Sequence, residues 1–239
     1  MAERTNDLGQ PIGPPLTDWS DATPPSRTPF EGRLCRLEPL RASLHAEQIH
    51  AANIADSEGR NWTYLPYGPF ASTEQYAAWV ESVEDGEDPL FFAIIDRQTE
   101  RALGVASYLR IEPPMGVIEV GHLSYSPALQ RTAAATEAMY LMMYRAFEEL
   151  GYRRYEWKCD SYNMPSRAAA ERLGFRYEGT FQQAIVMKGR SRDNAWFSIV
   201  DSEWPAIRAA LEAWLDPSNF DAAGQQLQRL EALMPANTR

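Results

Sequence analysis

Residues 122–144 read HLSYSPALQRTAAATEAMYLMMY, and this stretch decides the fold. It begins as the end of a strand, because 117–125 is rich in β-branched, aromatic and apolar residues. Pro127 stops the strand, and a helix starts near Thr132. Met139, Met142, Met143, Ala146 and Phe147 recur at helical spacing and give it a buried face. The methionine stripe reads as core rather than as a cofactor box. Between strand and helix lies Gln130-Arg131-Thr132-Ala133-Ala134-Ala135, a run of small side chains at a helix N-terminus. Free N–H groups and the positive end of the helix dipole make such a turn an anion site.

Outward from this unit the pattern is consistent. Upstream, 33–39 reads as a strand, 42–55 as a helix, and 72–83 as a helix capped by Ser72 or Thr73. Strands 91–96, 102–110 and 117–125 form an antiparallel meander with turns at 99–101 and 113–116. Downstream, 154–159 is a strand parallel to 117–125 across the long helical crossover. A helix over 163–173 ends at Gly174. Strands 176–186 and 195–200 follow, joined by a turn over 188–194, and then a helix over 203–214. The expected fold is α/β, a mixed and mostly antiparallel central sheet with helices on both faces. Residues 1–29 read as an extended, loosely packed arm that Trp19 and Phe30 pin to the body, 30–215 as the domain, and 216–239 as a polar tail with a short helix. An exposed edge at 195–200 offers a dimer contact, so monomer and homodimer both stand.

Composition narrows the function. The chain has 239 residues, 44% of them hydrophobic, enough for one full core. No run of 18 apolar residues occurs, and the N-terminus lacks an apolar leader core, so a cytoplasmic protein without membrane contact is expected. A net charge of -10 argues against nucleic acid. Cys35 and Cys159 read as reduced packing residues. His45, His50 and His122 show no metal-ligand spacing. No Gly-Lys-Ser/Thr phosphate loop or G-x-G-x-x-G turn is present.

The turn Gln130-x-x-Ala133-x-Ala135 resembles the acyl-CoA loop of the GNAT N-acetyltransferase superfamily. Thr136-Glu137-Ala138 continues it as in the ribosomal-protein-acetyltransferase (RimJ/RimL-like) branch. Asn163-Met164-Pro165-Ser166-Arg167, followed by Ala170-Glu171-Arg172-Leu173-Gly174-Phe175 and Tyr177-Glu178-Gly179, is similar to that branch's second signature. The resemblance covers roughly 33–215. It implies the GNAT fold, acetyl-CoA as co-substrate, no metal, and acetyl transfer to a primary amine by direct attack in a ternary complex. Three departures stand out. Ala133 replaces a usual glycine, which is harmless if its φ is helical. The frequent general-acid tyrosine falls on Ala170, and a glutamate base used by some members falls near Ile185.

The resemblance assigns CoA binding to the strand end Leu123-Ser124-Tyr125, to the turn Gln130, Arg131, Thr132, Ala133, Ala134, Ala135 and Thr136, and to Asn163 and Ser166. Tyr125 and Ser126 are further candidates for oxyanion or sulfur contacts. The attacking amine must be neutral. At pH 7.4 about a fifth of α-amines with pKa about 8 are neutral, against about 0.1% of lysine amines. Glu119 is the candidate base, with an exposed strand residue or an ion-pair partner of Arg110 as its structural alternative. His122 is a second candidate, on the opposite strand face from Glu119 by alternation. Ser166 is the candidate donor to the departing thiolate, and Asn163 doubles as a helix cap. Trp62, Tyr64 and Tyr67 form a rigid pocket wall or a packed corner. The acceptor is a peptide N-terminus or a small amine. A small-molecule or antibiotic N-acetyltransferase and a non-catalytic acyl-CoA sensor remain as alternatives.

Overall fold

A computed structural model describes residues 5–235. The first and last four residues of the predicted arm and tail lie outside the described residues. Eight strands form one sheet in the order β1-β2-β3-β4-β5-β6-β8-β7. They are β1 (Phe30–Glu31), β2 (Cys35–Pro39), β3 (Leu90–Asp96), β4 (Arg101–Glu112), β5 (Val117–Tyr125), β6 (Arg154–Asp160), β7 (Arg176–Met187) and β8 (Arg190–Val200). Only β5 and β6 pair in parallel; the rest of the sheet is antiparallel. The helix between them, α3 (Ala133–Tyr144), is the expected crossover.

Alternation along the strands builds a core on each face. Phe92, Ile94, Ile118, Val120 and Tyr155 pack beneath α3 and α5 (Trp204–Leu215). Phe91, Ala93 and Ile95 point the other way, beneath α1 (Ala42–Asn53) and α2 (Thr73–Val83). The continuous apolar run of β3 is therefore explained by burial on both sides. α2 starts at Ser72, whose hydroxyl accepts from Gln75 N–H, as expected. α4 (Met164–Arg172) stops before Gly174, where φ is +93°.

Two expectations need correction. The 195–200 edge does not exist, because β8 lies between β6 and β7, and β7 is the edge strand. The turn predicted over 188–194 is only Lys188-Gly189. Both residues have positive φ, 49° and 73°, so the hairpin reverses in two residues and β8 starts at Arg190. Trp19 and Phe30 both meet the body, and most of residues 5–18 are exposed. The Trp19 indole donates to Pro114 O, and its ring occupies the space beside Gly116, where φ is +62° and a Cβ would lie 2.2 Å from the ring. Phe30 packs edge-on to Phe92, and buried Arg145 lies over the Phe30 ring while donating to Ser26 and Thr28. Arg145 begins a π-helical turn, Arg145–Glu149, that widens the end of the predicted helix. In the tail, the expected short helix is α6 (Leu230–Leu233), with Leu230 fully buried.

Among the described residues, no helix is long and apolar enough to cross a membrane, and no cluster of three or more His, Cys, Asp or Glu is arranged to hold a metal ion.

Candidate active site

The site begins where two parallel strands part. β5 and β6 pair from Val117 opposite Arg154 only as far as Val120 opposite Trp157. Beyond that point β5 stays with β4, and β6 stays with β8 as far as Asp160 opposite Asn194. A wedge opens between them, and a cavity of about 330 Å³ fills it. Leu123, Trp157, Asn163 and Ser166 line it together with Glu119 and His122. These residues, distant in sequence, meet at one cavity.

The far end of β5 shows how its open edge is used. Tyr125 C=O accepts from Gln130 Nε2 at 2.9 Å and Asn61 Nδ2 at 3.2 Å, and Gln130 also donates to Asn61 Oδ1 at 2.8 Å. Ser126 N–H bonds to Leu103 O on the opposite side. By alternation, the N–H and C=O of Leu123 face the open wedge. The Gln130 side chain therefore staples the loop to the strand end. The Tyr125 ring leaves the cleft: its hydroxyl is buried with no partner among the described residues.

The helix behind the turn is well started. Thr132 Oγ1 accepts from Ala135 N–H at 3.1 Å. Ala133 is the first helical residue and is absent from the positive-φ positions; the left-handed residue is Arg131, at φ 60°. Alanine at 133 is thus at ease. The Ala133 and Ala134 N–H groups are first-turn donors with no intrahelical partner by geometry. Thr136 faces α4, where its hydroxyl accepts from Arg172 at 3.1 Å. A free strand edge, an adjacent helix N-terminus and a narrow cavity suit an extended acyl-CoA arm ending in phosphates.

The candidate base sits on the α1/α2 face. Ile118 and Val120 enter the α3 core, so Glu119 points the other way and is 3% exposed. Arg110 pairs with it, as the sequence allowed, and Lys158 Nζ lies 2.9 Å away. Lys158 also reaches Glu156 at 2.8 Å and stands over the Trp196 ring at 3.5 Å. Burial pushes the Glu119 carboxyl above its ordinary range, while Lys158 and Arg110 pull against that.

His122 does not lie on the opposite face from Glu119. From Val105 to Ser107 β4 advances two residues while β5 advances three, from Gly121 to Ser124. The extra residue is a bulge, with His122 at φ 51°. Its ring stacks on Tyr67 at 5.6 Å and lies 5.1 Å from Phe91, on the Glu119 face. Burial first, and then Arg110, lower its pKa to about 4, so it is neutral at pH 7. Its Nδ1 is buried without a partner among the described residues.

Ser166 Oγ accepts from the Trp157 indole at 3.0 Å, and its hydroxyl also hydrogen-bonds the Cys159 sulfur. Asn163 Oδ1 caps α4 through Ser166 N–H at 3.1 Å, so the cap reading holds beside any ligand role. Cys159 lines the same cavity, but burial raises its thiol pKa. Ala170 is fully buried in the core, and Ile185 lines the cavity as an apolar group.

Of the three predicted wall residues, Tyr64 lines the cavity. Trp62 and Tyr67 lie behind it, packed edge-to-face against each other, with Trp62 also edge-on to Phe70 and Tyr67 tilted over Trp79. The ring sizes required burial, and the loop supplied it. The β7–β8 hairpin closes over this loop. Lys188 Nζ donates to Trp62 O at 2.7 Å, Gly68 O at 3.3 Å and Tyr67 O at 3.4 Å. Asn61, Lys158, Lys188 and Arg192 were missed from sequence. For Lys158 a signal existed, since Glu156 and Lys158 alternate with apolar Tyr155, Trp157 and Cys159.

A family model described as acetyltransferase (GNAT) domain matches residues 34–176. A crystal structure of a GCN5-related N-acetyltransferase from Brucella melitensis is 47% identical with a TM-score of 0.89, covering 91% of this chain and 99% of its own. The uncharacterized N-acetyltransferase YnaD of Bacillus subtilis is 25% identical over 148 residues, 62% of this chain and 85% of that protein. A ribosomal-protein-S5-alanine acetyltransferase from Vibrio fischeri shares the fold at 18% identity and a TM-score of 0.56, covering 74% of this chain and 98% of its own.

Proposed function

Because the chain belongs to the GNAT acetyltransferase family, we propose that it moves an acetyl group from acetyl-CoA to a primary amine by direct attack in a ternary complex. The observation that carries this reading is the parting of β5 and β6 beside the α3 N-terminus, with Glu119 at the apex.

When bound, acetyl-CoA supplies an acetyl group activated as a thioester. Ala133 and Ala134 N–H groups and the α3 dipole hold the pyrophosphate. Leu123 pairs with the pantetheine through its free edge, and Asn163 Nδ2 is positioned beside the same wedge. Glu119 takes the amine proton, directly or through water. A carboxyl raised above its ordinary range is better matched to that task at neutral pH. Ser166 gives its proton to the departing sulfur. Cys159, held as a thiol by burial, carries no acetyl group. The acceptor enters on the α1/α2 face under the Lys188 roof, past Tyr64.

The test is thiol release from acetyl-CoA with pooled peptide N-termini, polyamines, amino acids and aminoglycosides. Turnover in one pool, reduced about a hundredfold or more in Glu119→Gln and by less in Ser166→Ala, supports the reading. Unchanged turnover in both variants removes these roles. Tight acetyl-CoA binding with no turnover in any pool favours the sensor.

A further inference from the structure

The acceptor side of the cavity holds a cation with no counterion. Arg192, near the start of β8, lines the cavity. Its Nε donates to Asn194 Oδ1 at 2.7 Å. Its Nη1 has only Tyr64 O at 3.4 Å, the long limit for an N–H···O bond, and the weak acceptor Met187 Sδ at 3.4 Å. Among the described residues it forms no ion pair, whereas Arg110 and Arg154 each pair with a carboxylate. Asp160 and Glu119 are the carboxylates whose fields reach it. Asp160 Oδ1 already accepts from Tyr162 N–H, and Glu119 is held by Lys158 and Arg110. Burial lowers the Arg192 pKa, as expected of a guanidinium short of partners.

Its place in the fold separates it from the phosphate end. Trp196 stands opposite Lys158 and Asn194 opposite Asp160, so alternation puts Arg192 on the Glu119 face. The α3 N-terminus serves the other face. The cation is therefore beside the acceptor amine rather than beside the pyrophosphate. It is not needed to close the roof, because Lys188 bonds three loop carbonyls from the same hairpin.

We propose that the acceptor amine carries a carboxylate, and that Arg192 receives it through a planar fork of N–H donors. The inference rests on the acetyl-transfer reading and names its substrate class. The carboxylate supplies the counterion that the fold leaves out, and a guanidinium matches its geometry better than an ammonium does. The same chemistry belongs to a free amino acid and to a peptide with an acidic residue next to its N-terminus.

The experiment compares matched pairs. Free amino acids are set against their carboxamides, and Ala-Asp peptide amides against Ala-Asn peptide amides, in thiol release. In parallel, the CoA-loaded protein is titrated with N-acetyl amino acids and their carboxamides by calorimetry, a readout that needs no turnover. A preference of at least tenfold for the carboxylate member, seen in KM and in binding, is expected, and the pair that shows it identifies the source. Arg192→Gln brings the preference to parity without changing acetyl-CoA affinity, and Lys188→Met, which loosens the roof, retains it. Equal use of both members, or a preference that survives Arg192→Gln, overturns the proposal. Failure of wild-type protein to bind acetyl-CoA overturns the acetyl-transfer reading itself and is seen separately.

Discussion

Lys158 holds its ammonium 2.9 Å from Glu119 and 2.8 Å from Glu156, at the point where the strands that carry them part. Parallel register sets Glu119 beside Glu156, so two carboxylates meet in a nearly dry place. One ammonium, further held over the Trp196 ring, bridges the two carboxylates, while Arg110 pairs with Glu119 and Arg154 with Glu156.

The pH dependence of turnover follows from this triad. A base acts when deprotonated, so kcat/KM rises with pH through the Glu119 pKa. Burial raises that pKa, and Lys158 lowers it again. Lys158→Met therefore moves the acid limb to higher pH. Removing the cation also destabilises the fold by roughly 3–5 kcal/mol, so the profile is read with acetyl-CoA affinity as a check on folding. An unmoved acid limb in a folded variant detaches Glu119 from the rate.

His122 predicts a stability effect of defined sign. Its folded pKa, about 4, lies below the ordinary imidazole value of 6.5. The unfolded chain binds the extra proton between these values, so stability is complete above about 6.5 and falls as pH drops toward 4. The shift corresponds to about 3 kcal/mol at most. Urea unfolding at pH 7 and pH 4.5 should show a smaller loss for His122→Asn than for wild type. His45 is lowered too, so the difference between the two proteins is the quantity that counts.

Glu137 and Gly32 make a structural pair. The buried Glu137 carboxylate accepts from Arg33, Leu34 and Cys35 N–H at 3.0, 2.6 and 2.8 Å, anchoring β2 to α3. A Cβ at Gly32 would lie 2.4 Å from Glu137 Cδ. Gly32→Ala and Glu137→Ala should each cost about 2–4 kcal/mol in urea unfolding, the second by orphaning three donors. A cost under 0.5 kcal/mol for both removes the anchor.

Lys188→Met should raise hydrogen exchange in 59–71 and 183–191 and raise the acceptor KM, with kcat nearly unchanged. Protection equal to wild type in both segments would mean that the three carbonyl contacts do not hold the roof.

Local chemistry made much of this legible. Pro127, the alanine run and the methionine stripe fixed the β5–α3 unit, and Asn163 marked the start of α4. The bulge at His122 was hidden because a bulge depends on how two strands register. The Glu119–Glu156–Lys158 triad was hidden for the same reason, since its members meet only through β5–β6 pairing. The Lys188-Gly189 turn carried a glycine signal, but the polar residues 190–194 masked the strand that continues through them.

The central claim is that the α3 N-terminus and the open edge of β5 hold acetyl-CoA. Calorimetric titration of acetyl-CoA into wild type and Ala133→Asp tests it most directly. An aspartate there favours the helix by about 0.3–1 kcal/mol through the dipole while repelling a pyrophosphate. The predicted result is one site per chain in wild type and at least a hundredfold weaker binding in a variant whose stability is equal or higher. Absence of binding in wild type, or equal affinity in the two proteins, would contradict the account.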